Sequence, residues 1–309
     1  MVAFWAYQPI IDADDAPIEF SIKPGSSVRS SAEQIAASGA PVNPTLFHLL
    51  ARMTGKATRL KAGNYELKPG TTPLALVDQL VRGEFAQESL AIIEGWTFRQ
   101  MRQAIDSHPA LRHDTAGLSD KELMAKISQQ YSIPEGLFFP DTYMFAKGAS
   151  DLQIYRQAHA LLLKRLDDAW RKRAAGVPYK TPYEALIMAS IIEKETGQRS
   201  ERNLIAAVFV NRLKRGMLLQ TDPTVIYGMG ERFQGNIRRK DLETDTPYNT
   251  YTRPGLPPTP IALPGAESLE AALNPANADV LYFVSRGNGT SEFSNNLADH
   301  NRAVNKYQR

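Results

Sequence analysis

Pro182–Gly197, PYEALIMASIIEKETG, is the stretch around which the rest of the chain reads as organised. From Ala185 to Ile192 it is apolar except for Ser190. The run is too short to cross a bilayer, so it predicts a helix buried in a globular core. Two carboxylates stand at its end, Glu193 and Glu195. Residues two apart on a helix point about 200° from one another, so the two cannot face one pocket. Glu195 follows Met188, Ile191 and Ile192 at spacings that put it on an apolar stripe. Gly197 is a natural C-terminal cap, which places Glu195 at the negative end of the helix dipole. Apolar surroundings and the dipole both favour the protonated carboxyl that a general acid requires. The same spacing also fits two solvated helix-end glutamates paired with Lys194 or Arg199, and it does not decide between these readings.

The chain of 309 residues is long enough for two domains, and 43 % hydrophobic content supports a sizeable core. Net charge is +3, with basic residues dispersed and the densest run only Arg238-Arg239-Lys240, which argues against nucleic acid as a partner. The absence of cysteine excludes disulfides, thiolate metal sites and a cysteine nucleophile. The five histidines show no paired ligand spacing, so no metal site is expected. No phosphate loop, dinucleotide fingerprint or G-x-S-x-G elbow occurs. Carboxylates beside aromatic, amide and hydroxyl groups remain, the vocabulary of enzymes that act on sugars.

Upstream, Phe20-Ser-Ile-Lys-Pro-Gly-Ser-Ser27 and Tyr65-Glu-Leu-Lys-Pro-Gly-Thr-Thr72 repeat at an offset of 45 residues. Each is a strand, a glycine turn, and a Ser or Thr placed to cap a following helix. A looser third copy begins at Leu90, and Pro44 to Met53 reads as a further helix. The expected product is a small βααβ module over residues 18–88, ahead of a larger mixed region over 89–309, an α+β fold class. Residues 1–17 carry an apolar start, Met1 to Tyr7, that fits the outer end of a membrane anchor or an apolar terminus.

Further along, Lys121 to Gln130, Asp151 to Arg173, Arg202 to Arg215, Ser268 to Leu273 and Ala298 to Tyr307 read as helices. Leu204, Val208, Phe209 and Leu213 are expected inward on the third of these. Met217 to Gly228 reads as an apolar run entering a polar turn. Gly287-Asn288-Gly289 between Val280–Val284 and Thr290–Phe293 is a hairpin signal. The aromatic-rich Glu135 to Phe145 suits either sugar stacking or a core-packed loop. Residues 245–264, rich in Pro, Thr and Tyr, read as a binding loop.

The strings ASIIEKET, AAVFVNRLKRGMLLQTDPTVIYGMG, EGLFFPDTYMF, YNTYTRPGLPPTPIALPGAESLEAALNP, YFVSRGNGTSEFS and LADHN closely resemble those of the endolytic murein transglycosylases, the YceG-like family. The likeness covers nearly everything after residue 89, and the N-terminal repeat resembles the family's LysM-like subdomain. It implies a lyase that cuts the MurNAc-β-1,4-GlcNAc bond within peptidoglycan strands, leaves 1,6-anhydro-MurNAc ends and uses no cofactor. It places the catalytic glutamate at Glu195, with Glu195-Thr196 resembling the Glu-Ser pair of lysozyme-like transglycosylases. Gln220, Thr221, Asp222, Tyr248 and Asn249 are the candidate substrate contacts, with Glu135 as a helper. It also implies a single-pass anchor in the bacterial inner membrane, a periplasmic catalytic domain, peptidoglycan synthases as partners, and a role in ending nascent strands. Rival readings are a muramidase of the same bond, with Asp222 or Glu135 as second carboxylate, and a non-catalytic peptidoglycan-binding protein.

Overall fold

The computed structural model describes residues 2–195 and 198–308, so Thr196, part of the Glu-Thr pair read above, and Gly197, read as a cap, lie outside the described residues. The fold is mixed α+β, with three small two-stranded sheets among many helices in the described residues. It divides into two compact units: residues 1–89, 109–112 and 144–150, and residues 90–108, 113–143 and 151–309. The pieces 109–112 and 144–150, placed in the larger region by sequence, thus pack with the first unit.

The first unit opens with a short helix α1 (Val2–Trp5), followed by β1 (Ile18–Ile22), α2 (Val28–Ala37), α3 (Pro44–Met53), β2 (Gly63–Leu67) and α4 (Pro73–Arg82). β1 and β2 pair antiparallel from Ile18 opposite Leu67 to Ile22 opposite Gly63. Alternation turns Phe20, Ile22, Tyr65 and Leu67 inward, where they meet Ile35, Phe47, Leu76 and Leu80 of the helices. The Phe20 and Tyr65 rings stack at 5.5 Å between centroids. Ala6 and Ile11 are buried in the same core, and the Ile10 N–H donates to the Thr71 carbonyl at 2.8 Å, so the chain from Ala6 to Ile11 is docked on this unit. No helix among the described residues is long and apolar enough to cross a membrane.

The sequence repeat is a repeat of structure. β1 leads through Gly25 to α2 capped by Ser27, and β2 leads through Gly70 to α4 capped by Thr72. β3 (Gln87–Ala91) leads through Gly95 to α5 (Phe98–Asp106), capped by Thr97. All three glycines have φ between 76° and 79°, a region that a side chain rarely adopts, and each cap hydroxyl accepts an N–H of the first helical turn.

Next come α6 (Asp120–Ala125), shorter than the Lys121–Gln130 expectation, and β4 (Thr142–Ala146), which pairs with β3. The division between the units falls inside these two strands. The aromatic segment before β4 is core rather than a sugar platform: Leu137, Phe138 and Phe139 are buried, and Phe138 packs against the rings of Phe98 and Tyr155. Long helix α7 (Asp151–Arg171) supports this cluster, and His159 lies buried with its Nδ1 2.8 Å from the Leu137 carbonyl.

α8 (Pro182–Glu195) is the central helix of the second unit, buried on every face from Ala185 to Ile192. It packs on α7, on α9 (Arg202–Lys214), on α10 (Asp222–Met229) and on α12 (Ala266–Leu273), with the small α11 (Arg239–Glu243) preceding α12 in the chain. On α9 the inward face is Ile205 to Val210 and Arg212, while Leu204 and Leu213 are only half-buried. Ser190, the polar residue in the apolar run, donates to the Ile187 carbonyl at 2.7 Å and accepts the Ile261 N–H at 3.0 Å. That N–H belongs to the irregular 245–264 segment, whose second half is therefore a buried strut beside α8: residues 259–264 are all buried, and Leu263 exchanges backbone hydrogen bonds with Gly95 and Trp96. Truncating a residue such as Ile191 at this centre costs about 2–5 kcal/mol. The chain ends with the hairpin β5 (Tyr282–Ser285) and β6 (Ser291–Ser294), paired antiparallel, and α13 (Leu297–Tyr307).

Candidate active site

Glu193 and Glu195 leave α8 in different directions. Glu193 turns inside, where its Oε2 accepts the Gly265 N–H at 2.9 Å and its Oε1 lies 4.0 Å from Arg202. Glu195 opens on a cleft of about 660 Å³, large enough for more than one sugar ring. Its Oε1 accepts a hydrogen bond from the Thr221 hydroxyl. Burial lifts its pKa from 4.5 to about 7; Asp222 adds to the rise, and the Thr221 hydroxyl and Arg212 oppose it. At neutral pH the carboxyl is therefore poised between acid and base, as acid–base chemistry in two half-steps requires.

The side chain that meets Glu195 is held by a compact hydroxyl network. Thr221 is buried, its N–H donates to Thr250 Oγ1 at 3.1 Å, and its carbonyl accepts from Thr224 Oγ1 at 2.8 Å. The Gln220 N–H donates to the Thr250 carbonyl at 3.1 Å. Gln220 has φ of 50°, the positive-φ residue other than glycine among the described residues. A left-handed conformation at such a residue costs roughly 1–2 kcal/mol and persists only where surrounding bonds impose it. The polar run Gln220-Thr221-Asp222 read from sequence is thus a bend that carries Thr221 to Glu195 and leaves Gln220 and Asp222 facing the cleft. Asp222 sits in the first turn of α10 and accepts from the Tyr251 hydroxyl.

The other sequence-chosen residues are elsewhere. Asn249 is buried, with its amide donating to the carbonyls of Asp241, Leu242 and Thr244 and its Oδ1 accepting the Tyr251 N–H at 2.8 Å. This ties the segment to the end of α11 and occupies the amide's donors. Glu135 and Tyr248 belong to a second cluster. Glu135 is 5 % exposed and accepts from the Phe98 N–H at 2.9 Å and from the Tyr227 hydroxyl at 3.1 Å. Tyr227 packs edge-on to Tyr248, whose hydroxyl shares a 2.9 Å hydrogen bond with Thr259. Burial raises the Glu135 pKa to about 7 as well.

Four cleft residues escaped the sequence reading: Arg212, Tyr251, Tyr282 and His300. They come from α9, the 245–264 segment, β5 and α13. The Arg212 guanidinium lies 5.1 Å from the Tyr282 ring centroid, and Tyr282 stacks on His300 at 5.0 Å and 23°. Leu297 and Val304 add apolar surface to that wall. The only local hint was an aromatic at the start of a hairpin strand and a histidine on the last helix, neither of which has a distinctive spacing. No group of three or more His, Asp or Glu placed to hold a metal ion occurs among the described residues.

Residues 20–306 match the sequence profile of the YceG-like family. A protein of Bacillus subtilis named endolytic murein transglycosylase is 31 % identical over 97 % of this chain and 87 % of its own length. A protein of the same name from Streptococcus pneumoniae is 28 % identical over 97 % of this chain but only 61 % of its own length. The crystal structure of a yceG-like protein from Listeria monocytogenes superposes with a TM-score of 0.59 at 31 % identity, covering 93 % of this chain and 98 % of that one.

Proposed function

The chain belongs to the YceG-like family, and from that premise we propose that it is an endolytic lytic transglycosylase of peptidoglycan, cleaving the MurNAc-β-1,4-GlcNAc bond with Glu195 as its acid and then its base. The observation that carries the reading is a half-buried carboxyl of raised pKa, opening on a cleft of sugar-chain size and held by the Thr221 hydroxyl. Protonated Glu195 gives its proton to the glycosidic oxygen as the C1–oxygen bond breaks. The resulting carboxylate takes the proton of the muramoyl C6 hydroxyl as O6 bonds to C1. The proton lost in the first half is regained in the second, and no water is consumed. Because the nucleophile is already part of the sugar, its attack is intramolecular and needs no second carboxylate to activate it. Gln220 and Asp222 face the cleft where sugar hydroxyls and the developing positive charge would lie.

Asp222 supports one alternative. A second carboxylate in the Glu195 cleft is what an inverting muramidase uses to activate water. Product mass separates the two, because the anhydro end is lighter by one water. High-molecular-weight peptidoglycan incubated with the parent chain, Glu193→Gln and Glu195→Gln is expected to give anhydro-ended fragments with the first two and none with the third. Reducing ends would establish the muramidase, and no fragments at all from the parent would favour a binding protein.

On the same reading the catalytic unit works in the periplasm on strands leaving peptidoglycan synthases, ends their elongation, and is held at the inner membrane. The exposed Phe4 and Tyr7 rings suit the membrane–water interface. The βααβ unit is then the LysM-like module that meets the glycan. Cell fractionation tests the membrane association, and glycan pull-down with residues 1–89 deleted tests the module.

A further inference from the structure

Arg212 is buried, and every hydrogen bond of its guanidinium described here goes to a main-chain carbonyl. Nε donates to Leu281 O at 2.7 Å, and Nη1 donates to Leu219 O at 2.7 Å and to Leu218 O at 3.4 Å. No carboxylate lies within ion-pair distance of it among the described residues. A buried arginine is ordinarily paired with an anion, since an unpaired charge in the interior is costly. Arg212 is bonded instead to neutral dipoles, and its electrostatic neighbours are Tyr282, Tyr251 and Glu195.

The bonds and the charge converge on one place. Leu218 and Leu219 immediately precede Gln220, whose left-handed backbone turns the chain so that the Thr221 hydroxyl reaches Glu195. The carbonyl of Leu281 begins the β5 wall of the same cleft. One planar guanidinium thus joins β5 to the bend, with a forked geometry that an ammonium lacks. Its cation also favours the ionised form of Glu195, against burial and Asp222.

We propose that Arg212 is the positioning residue of this site: it clamps residues 218–221 so that Thr221 meets Glu195, and it supplies the counter-charge for the carboxylate that Glu195 becomes after giving up its proton. The proposal rests on the acid–base role assigned to Glu195. The groups around that carboxyl are Thr221 before α10, Asp222 on α10, Tyr251 on the 245–264 segment and Arg212 on α9; Tyr282 and His300 lie behind Arg212.

The test uses the whole chain with Arg212→Met, which removes charge and fork, and Arg212→Lys, which keeps the charge only. Two readouts are taken on folded protein, confirmed by thermal melting: the pH dependence of anhydro-end release, and the Glu195 titration by carbon NMR of labelled glutamate, assigned with Glu195→Gln. For Arg212→Met, kcat is expected to fall at least about tenfold with little change in KM, and the Glu195 titration to move up by about half a unit or more. For Arg212→Lys, kcat falls while the titration stays near that of the parent. A folded Arg212→Met with parental rate and titration overturns the proposal, and so does a lower rate with an unmoved titration, which marks a merely structural residue. If Arg212→Met does not fold, Arg212→Lys decides: parental kcat or a displaced titration overturns the clamp and charge. Absence of anhydro ends from the parent would sink the transglycosylase reading, while the NMR titration would still judge Arg212.

Discussion

Glu195 and Glu135 lie in the same unit, both are lifted by burial to a pKa of about 7, and their settings differ in kind. Glu135 accepts from a helix-start N–H and a tyrosine hydroxyl, is closed off from solvent, and is absent from the residues that line the Glu195 cleft. Its carboxyl joins α5 to α10. Glu195 has one side-chain donor among the described residues and an open cleft in front of it. Burial is the largest cause of both rises, so a raised pKa does not by itself identify the acid; access to a substrate does.

The largest expected effect would break the comparison if it failed. Glu195→Gln should lower anhydro-end release by about 10²–10⁴ with melting temperature nearly unchanged, the range typical for loss of a general acid–base. Glu135→Gln should leave activity per folded molecule within about tenfold and act mainly on stability. A Glu135→Gln variant that melts like the parent yet is inactive would assign the chemistry to the wrong carboxyl.

The pH dependence of stability sharpens the same contrast. A carboxyl whose pKa is raised on folding holds its proton more tightly in the native state, so its favourable contribution is complete below about pH 4.5 and is lost as pH rises to about 7. For Glu135 the loss is on the order of 3 kcal/mol across that window. Replacement by glutamine removes this slope. Glu135→Gln should therefore be less stable than the parent at pH 5, where its amide faces donors that a carboxyl oxygen accepted, and should close or reverse the gap at pH 8. Denaturant melts at the two pH values check this; parallel curves would show that Glu135 does not titrate between them. Activity turns on Glu195 instead, and should decline above about pH 7 as the acid ionises.

What the sequence made legible follows from what is local. The three strand–glycine–helix copies were readable because turn, cap and alternation lie within about ten residues of each other, and Ser27, Thr72 and Thr97 all cap as expected. Helices α3 and α8 were readable from periodicity and length. α10 was not, because the sequence that ends in Gln220-Thr221-Asp222-Pro223 reads equally as a turn, and Pro in the first turn starts a helix as readily as it ends one. The apolar-stripe argument for Glu195 had little force in the end, since α8 is buried all round; what separates the two glutamates is the Gly265 N–H that holds Glu193, 72 residues away. Arg212, Tyr251, Tyr282 and His300 were illegible for the same reason, because their meeting is a property of the tertiary fold.

Two smaller effects concern the bend that distinguishes the Glu195 setting from that of Glu135. Thr221→Ala deletes a donor that favours the ionised carboxyl, so the Glu195 pKa should rise and the alkaline limb of activity move up, with a loss of rate of about tenfold or less from lost positioning. Thr221→Ser should restore both, and a Thr221→Ala limb that stays in place would remove Thr221 from the electrostatics of the site. Gln220→Gly is the mildest. Glycine accepts φ of 50° without strain but gives the unfolded chain more freedom, and the two effects oppose each other within about 1 kcal/mol. Melting temperature should therefore change little, whereas KM should rise, because the amide that faces the cleft is gone. A clear gain in stability with unchanged KM would mean that the strain at Gln220 serves only to deliver Thr221 to Glu195, and that the glutamine side chain itself has no part in holding substrate.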